Sequence, residues 1–255
     1  MDAVVTGLAE QHADLEGLLV PLGPEYWSRP SPDCPGWTVA DLVLHLAQAD
    51  EWAMAGPTEG NAAAAARMAG GPPSPGETTD DTVGRMVAHE RGGPAETVLT
   101  RWRESSRALR EFLLARDPRE PLPWIYGDLP ARTLATTRLV ECWIHTRDVA
   151  NALGATAHDG DQLWHVARLA WRTLPFVATQ AGRPAIAPES VHLDLTPPGG
   201  GDRWTFGPAD APTSISGTAL DFCLVAARRV DPSATALVAH GPDAEAALSL
   251  VRTWA

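Results

Sequence analysis

Between residues 7 and 21 the positions Leu8, His12, Leu15 and Leu19 recur at helical spacing among polar neighbours, and the pattern predicts an amphipathic helix. The segment SRPSPDCPGW then breaks the period. Thr38 is placed to cap a second helix, with Asp41 in the capping-box position, and Leu42, Leu46 and Ala49 carry its apolar stripe to about Met54. Residues 56–80, rich in Gly, Pro, Ala and Thr, read as a loop in which Ala62 to Met68 form a helical turn or two. A third helix spans Ala95 to Arg116, with Val98, Trp102, Leu109 and Leu113 on its dry face. After the rigid connector DPREPLPWIYGDLP, a fourth helix starts near Arg132 and stops at Gly154. Helices of this length, joined partly by long crossovers, predict a four-helix bundle.

Past GATAHDGD the pattern changes. Asp161 to Ala181 is helical, with Pro175 expected to kink or end it. SVHLDLT and DRWTFGP alternate as a strand pair joined by PPGGG. SISGTALDFCLVAARR reads as a strand or cap running into a helix, ALVAHG as a short strand, and DAEAALSLVRTWA as a terminal helix. The expected fold is therefore α+β: a helical bundle over residues 1–158 and a smaller α/β domain over 159–255.

Composition narrows the function classes. The 255 residues are 44% hydrophobic and 20% charged, as expected of a globular chain with real cores. The net charge of -12, with no basic stripe, argues against nucleic acid and anionic membrane as partners. All 20 basic residues are arginine, which removes lysine Schiff-base chemistry, pyridoxal-phosphate anchoring and the phosphate-loop lysine. Cys34, Cys142 and Cys223 form no CxxC pair, so neither a disulfide framework nor a thiolate zinc site is expected. No signal peptide or membrane span is evident, and a cytoplasmic protein, monomer or homodimer, is the expectation.

The chemistry concentrates in RLVECWIHTRDVANALG. Glu141 and His145 lie four apart on one helix face, with Arg138 and Asp148 a turn to either side, while the rest of the circumference is apolar. Such a helix is largely interior, and buried ionisable groups need partners. Either a buried ion pair fixes the packing, or a divalent cation sits on the carboxylate and imidazole. A catalytic metal needs a third protein ligand, and His45, between Leu44 and Leu46 on the second helix, is available. Asp148 could orient a ligand histidine, serve as a catalytic acid or base, cap a helix end or pair with Arg147 or Arg138, and Asp50 carries the same ambiguity. Trp37, Trp124 and Tyr126 could line a pocket mouth and contact a cofactor, or simply pack. His12 reads as a packed histidine with one hydrogen-bond partner, and Cys142, about 100° off the Glu141 face, as a small core residue.

CPGWTVADLVLHLAQADEW and TTRLVECWIHTRDVANALG resemble the two signature helices of the DinB-like superfamily, specifically the mycothiol-dependent maleylpyruvate isomerase family of actinobacteria, in a branch described as wyosine-base-formation-like metal-binding proteins. SISGTALDFCLVAARR is similar to the C-terminal domain found there. The resemblance implies one divalent metal, zinc foremost, with nickel, iron or manganese as alternatives, on His45, Glu141 and His145. It also implies mycothiol as cosubstrate, its thiolate adding to an activated double bond, permitting rotation and leaving again. An assisting arginine falls at AARRVD, on Arg229 rather than Arg228, although the family's Gly-Arg pattern is not kept.

Three functions remain open on these grounds. The first is a metal- and mycothiol-dependent isomerase or S-transferase acting on a small electrophile. The second is a thiol-independent Lewis-acid hydrolase, lyase or cyclase. The third is a metal- or ligand-binding module without turnover, since one scaffold hosts many chemistries.

Overall fold

The computed structural model describes residues 1–253, and the chain divides into two compact units, Met1–Ala157 and one beginning at His158. The first is built on α1 (Asp2–Leu19), α3 (Val39–Glu59), α6 (Ala95–Leu114) and α7 (Ala131–Leu153), with the single turn α2 (Pro24–Trp27) ahead of α3. α1 packs on α7 and α6, and α3 packs on the same two, so the four long helices close a ring around one core. Leu8, Leu15, Leu42, Leu46, Trp102, Leu109 and Leu139 are among the residues that fill it.

Local sequence sets the helix ends. Thr38 Oγ1 accepts from the Asp41 amide while the Asp41 carboxylate accepts from the Thr38 amide, so both halves of the predicted capping box form at the start of α3. Gly154 takes the left-handed conformation (φ 68°) that stops α7, as expected. α3 outruns its predicted end at Met54: Pro57 lies in its last turn, where the helix is about to end at Gly60 in any case. Residues 56–80 are correspondingly less loop-like, with α4 at Asn61–Met68, and α5 (Thr79–Glu90) follows where no helix is predicted. Arg101 of α6 ties this excursion down, bonding Glu51 of α3 at 2.7 Å and Glu90 of α5 at 2.6 Å. The connector ahead of α7 contains a short antiparallel pair of two-residue strands, β1 (Pro121–Leu122) against β2 (Leu129–Pro130).

The second unit has α8 (Leu163–Arg172) and α9 (Leu174–Gln180), divided at the turn before Pro175 as the proline predicts. Its sheet runs β4-β3-β5-β6, from β3 (Val191–Thr196), β4 (Trp204–Phe206), β5 (Thr213–Thr218) and β6 (Val238–His240); β3 and β5 are parallel and the outer pairs antiparallel. Val191, Leu193 and Leu195 point inward and alternate with His192 and Asp194. Gly207 (φ 80°) is required after β4, because a Cβ there would meet the Val191 carbonyl at 2.2 Å. α10 (Ala219–Ala226) and α11 (Ala244–Leu250) complete the unit; the last two residues of the predicted terminal helix, Trp254 and Ala255, lie outside the described residues. Among the described residues no helix is long and apolar enough to cross a membrane.

Candidate metal centre

α7 is almost wholly interior, so its polar stripe is buried with it: Arg138, Glu141, His145 and Asp148 are all at most 7% exposed. Their spacing of three, four and three residues keeps them on one face. α3 packs alongside and supplies His45, whose Nε2 lies 2.8 Å from Glu141 Oε1. His145 Nε2 is 3.7 Å from the same oxygen, and one ligand atom from each of the three residues lies within 4.8 Å of the others.

The two nitrogens of His145 have different fates. Nδ1 is 2.8 Å from Asp148 Oδ2 and donates to it, which fixes the ring. Nε2 is buried and has no hydrogen-bond partner. A buried polar atom left unpaired is costly, and here it converges with a second imidazole and a carboxylate. Two imidazole nitrogens and a carboxylate oxygen form a donor set that suits a divalent cation, so the residues fit the metal that the sequence suggests.

Charge is distributed accordingly. Burial opposes a positive His145, but the bond to Asp148, the neighbouring Cys34 thiol and the nearby Glu141 carboxylate outweigh it and hold the ring well above its ordinary range. His45 is pushed the other way, its burial prevailing over the bond to Glu141. For Glu141 burial favours the acid, yet the imidazoles of His145 and His45 and the Arg138 guanidinium reverse this and keep the carboxylate ionised. Within the cluster, Glu141 thus favours its charged form, His145 is drawn toward its protonated form, and His45 is drawn away from it.

Around this core the other candidate residues take separate places. Trp37 lies against both rings, 5.2 Å from His45 and 6.4 Å from His145 between centroids. Trp124 covers the Arg138 guanidinium at 4.7 Å and packs on Trp52. Tyr126 is exposed, with its hydroxyl 3.2 Å from Thr79 Oγ1. Asp50 is buried on α3, and burial lifts its carboxyl to about 7. Arg229 belongs to the second unit, where Nη1 bonds the Ala227 carbonyl at 2.9 Å; Arg228 beside it is exposed and takes the left-handed position (φ 59°) that closes α10. His12 is buried, bonded through Nδ1 to Arg110, and packed edge-on against Trp102, while Cys142 sits in the core near Thr146.

Cys34, close in sequence to the helix that carries His45, takes a place at the cluster. Its Sγ is 3.4 Å from Asp148 Oδ2, so the thiol and His145 share one carboxylate, and Cys34, His145 and Asp148 form a second group at metal-binding distances. The available signal was its position four residues before Thr38, in the turn leading into the helix that carries His45.

The family described as the mycothiol maleylpyruvate isomerase N-terminal domain matches residues 8–150. An uncharacterized protein of Mycobacterium tuberculosis, found in two strains, is 34% identical over 253 residues, covering 98% of this chain and 95% of the relative. The crystal structure of a mycothiol-dependent maleylpyruvate isomerase is similar with a TM-score of 0.60 at 18% identity, covering 95% of each chain. A histidine-to-alanine mutant of such an isomerase gives a TM-score of 0.59 at 17% identity over 92% of each chain. At these identities the solved structures establish a shared fold.

Proposed function

The chain belongs to the mycothiol maleylpyruvate isomerase family, and from that premise we propose that it is a cytoplasmic, divalent-metal isomerase that uses mycothiol on a small electrophilic double bond. His45, Glu141 and His145 would hold the cation, which supplies Lewis acidity and favours the thiolate form of a thiol beside it. The observation that carries the reading is the buried His145 Nε2, unpaired and aimed at a site shared with His45 and Glu141.

The chain's own groups divide the remaining work. Asp148 holds the proton on His145 Nδ1 and so keeps Nε2 free to act as a ligand. Glu141 contributes the negative charge that two imidazoles lack, and Trp37 shields both rings from water on one side. The family resemblance gives Arg229 the part of an assisting arginine. S-transfer to the same electrophile uses the addition half of the isomerisation alone.

The test is to incubate the metal-loaded protein with maleylpyruvate, with and without mycothiol, and to resolve the cis and trans products by chromatography. Isomerisation that needs both metal and thiol, and is lost in a His45→Ala, His145→Ala variant, supports the reading. Turnover by the loaded protein without thiol moves it to a thiol-independent Lewis-acid enzyme, and a loaded protein with no turnover of maleylpyruvate or related electrophiles moves it to a binding module.

A further inference from the structure

Arg138 stands one helical turn before Glu141 and is 5% exposed, yet among the described residues it has no hydrogen-bond partner. Its Nε is fully enclosed and unpaired. The nearest carboxylate oxygen, Glu141 Oε2, is 3.8 Å from Nη2, beyond hydrogen-bond range. A guanidinium remains charged in any protein environment, so this is a buried cation with its donors unspent. Such an arrangement is rare enough in folded proteins to call for an explanation.

The neighbours hold the group in place without satisfying it. Trp124 covers one face of the guanidinium at 4.7 Å; Trp124 in turn packs on Trp52, whose indole N–H is fixed by the Asn61 carbonyl at 3.0 Å. Aromatic stacking takes the face and leaves the in-plane edge, where the N–H donors lie. Glu141 pairs with Arg138 by charge at 3.8 Å but takes none of its hydrogen bonds; its Oε1 is already engaged by His45, and a cation would claim the carboxylate further. Asp50 is the other buried acid close enough for the two charges to influence each other, but it makes no hydrogen bond to Arg138 and is only partly ionised near neutrality.

We propose that Arg138 is a specificity-determining residue that receives a carboxylate of the small-molecule substrate in a bidentate grip, beside the His45, Glu141 and His145 cluster. The planar fork matches a carboxylate in shape and charge, which water cannot do. A carboxylate held there places the rest of a small molecule about one helical turn, ~5 Å, from the metal ligands. The proposal rests on the functional reading above for the word substrate, but the anion site itself requires only Arg138 and its surroundings.

The test uses the full chain, zinc-loaded and metal-free, titrated calorimetrically with malonate, with malonamide as its uncharged analogue and with inorganic phosphate, alongside elemental analysis of each sample. Wild type is expected to bind malonate and not malonamide, Arg138→Met to bind malonate about ten- to a hundredfold more weakly at unchanged metal content, and Arg138→Lys to fall between. Equal malonate affinity in wild type and Arg138→Met, or no malonate binding by wild type in either metal state, overturns the proposal. Phosphate bound more tightly than malonate overturns the carboxylate class. If Arg138→Met does not fold, the lysine variant decides, and a lysine variant indistinguishable from wild type overturns the grip. Malonate binding that depends on Arg138 in a protein unable to hold zinc leaves this proposal standing and removes the metal reading, so the two fail separately.

Discussion

Replacing Asp148 by asparagine should weaken metal binding, and the size of the loss should grow with pH. Asp148 is completely buried and accepts from His145 Nδ1 at 2.8 Å, so its charge both fixes the ring and raises the basicity of Nε2. Loss of such a carboxylate beneath a ligand histidine typically costs 10- to 100-fold in affinity, or about 1.4–2.8 kcal/mol. A second effect opposes the first. The bonds and charges around His145 raise its pKa well above the ordinary value, so at neutral pH a cation must displace a proton from Nε2. Wild-type affinity therefore climbs as pH rises toward that raised pKa. Asp148→Asn lowers the pKa and lessens the proton competition, which offsets part of the loss at low pH and none of it at high pH. Competition against a chromophoric zinc chelator at pH 6, 7 and 8 reads this directly, and wild type should release protons on binding the metal. A deficit absent at all three values, or larger at pH 6 than at pH 8, would refute the tautomer argument.

Three further outcomes follow from buried or conformationally restricted groups. Burial lifts Asp50 from 3.8 to about 7, so the folded protein keeps a proton that the unfolded chain gives up, and stability is lost as pH rises from about 4 to about 7 and is flat above that. About three units correspond to at most ~4 kcal/mol; urea unfolding in chelator should show Asp50→Asn gaining on wild type across that window, and parallel curves would contradict the assignment. Gly154→Ala places a side chain at φ 68° with no compensating contact and should cost about 1–2 kcal/mol by thermal unfolding, an unchanged midpoint counting against the left-handed stop. Thr38→Ala removes one half of the capping box and should cost about 1 kcal/mol, whereas Thr38→Ser should retain most of it.

The elements whose signals are local could be read from the chain. The capping box at Thr38 and Asp41, the glycine stop of α7, the proline division of α8 from α9 and the strand pair at β3 and β4 all depend on residues within a few positions of each other. α5 escaped because only Thr82, Met86 and Val87 of its twelve residues are buried, too few to mark an apolar face, although Thr78 and Asp81 form a second capping box at its start. At the metal centre, helical spacing alone places Glu141 and His145 on one face, but the approach of His45 depends on α3 packing against α7. Cys34 reaches Asp148 across 114 positions of sequence, and the isolation of Arg138 is a property of its surroundings. No local pattern encodes either.

The central claim is that a cation belongs between His45, Glu141 and His145, and elemental analysis tests it most directly. The parent protein, purified without chelator or added metal, is compared with a His45→Ala, His145→Ala variant, and both are checked for folding by circular dichroism. Near-stoichiometric divalent metal in the parent and none in the folded variant is the expected result. A folded parent that carries no metal and cannot be loaded with zinc, nickel, iron or manganese would contradict the account, and would leave Glu141 with its two histidines as a buried ion-pair network that holds α3 to α7.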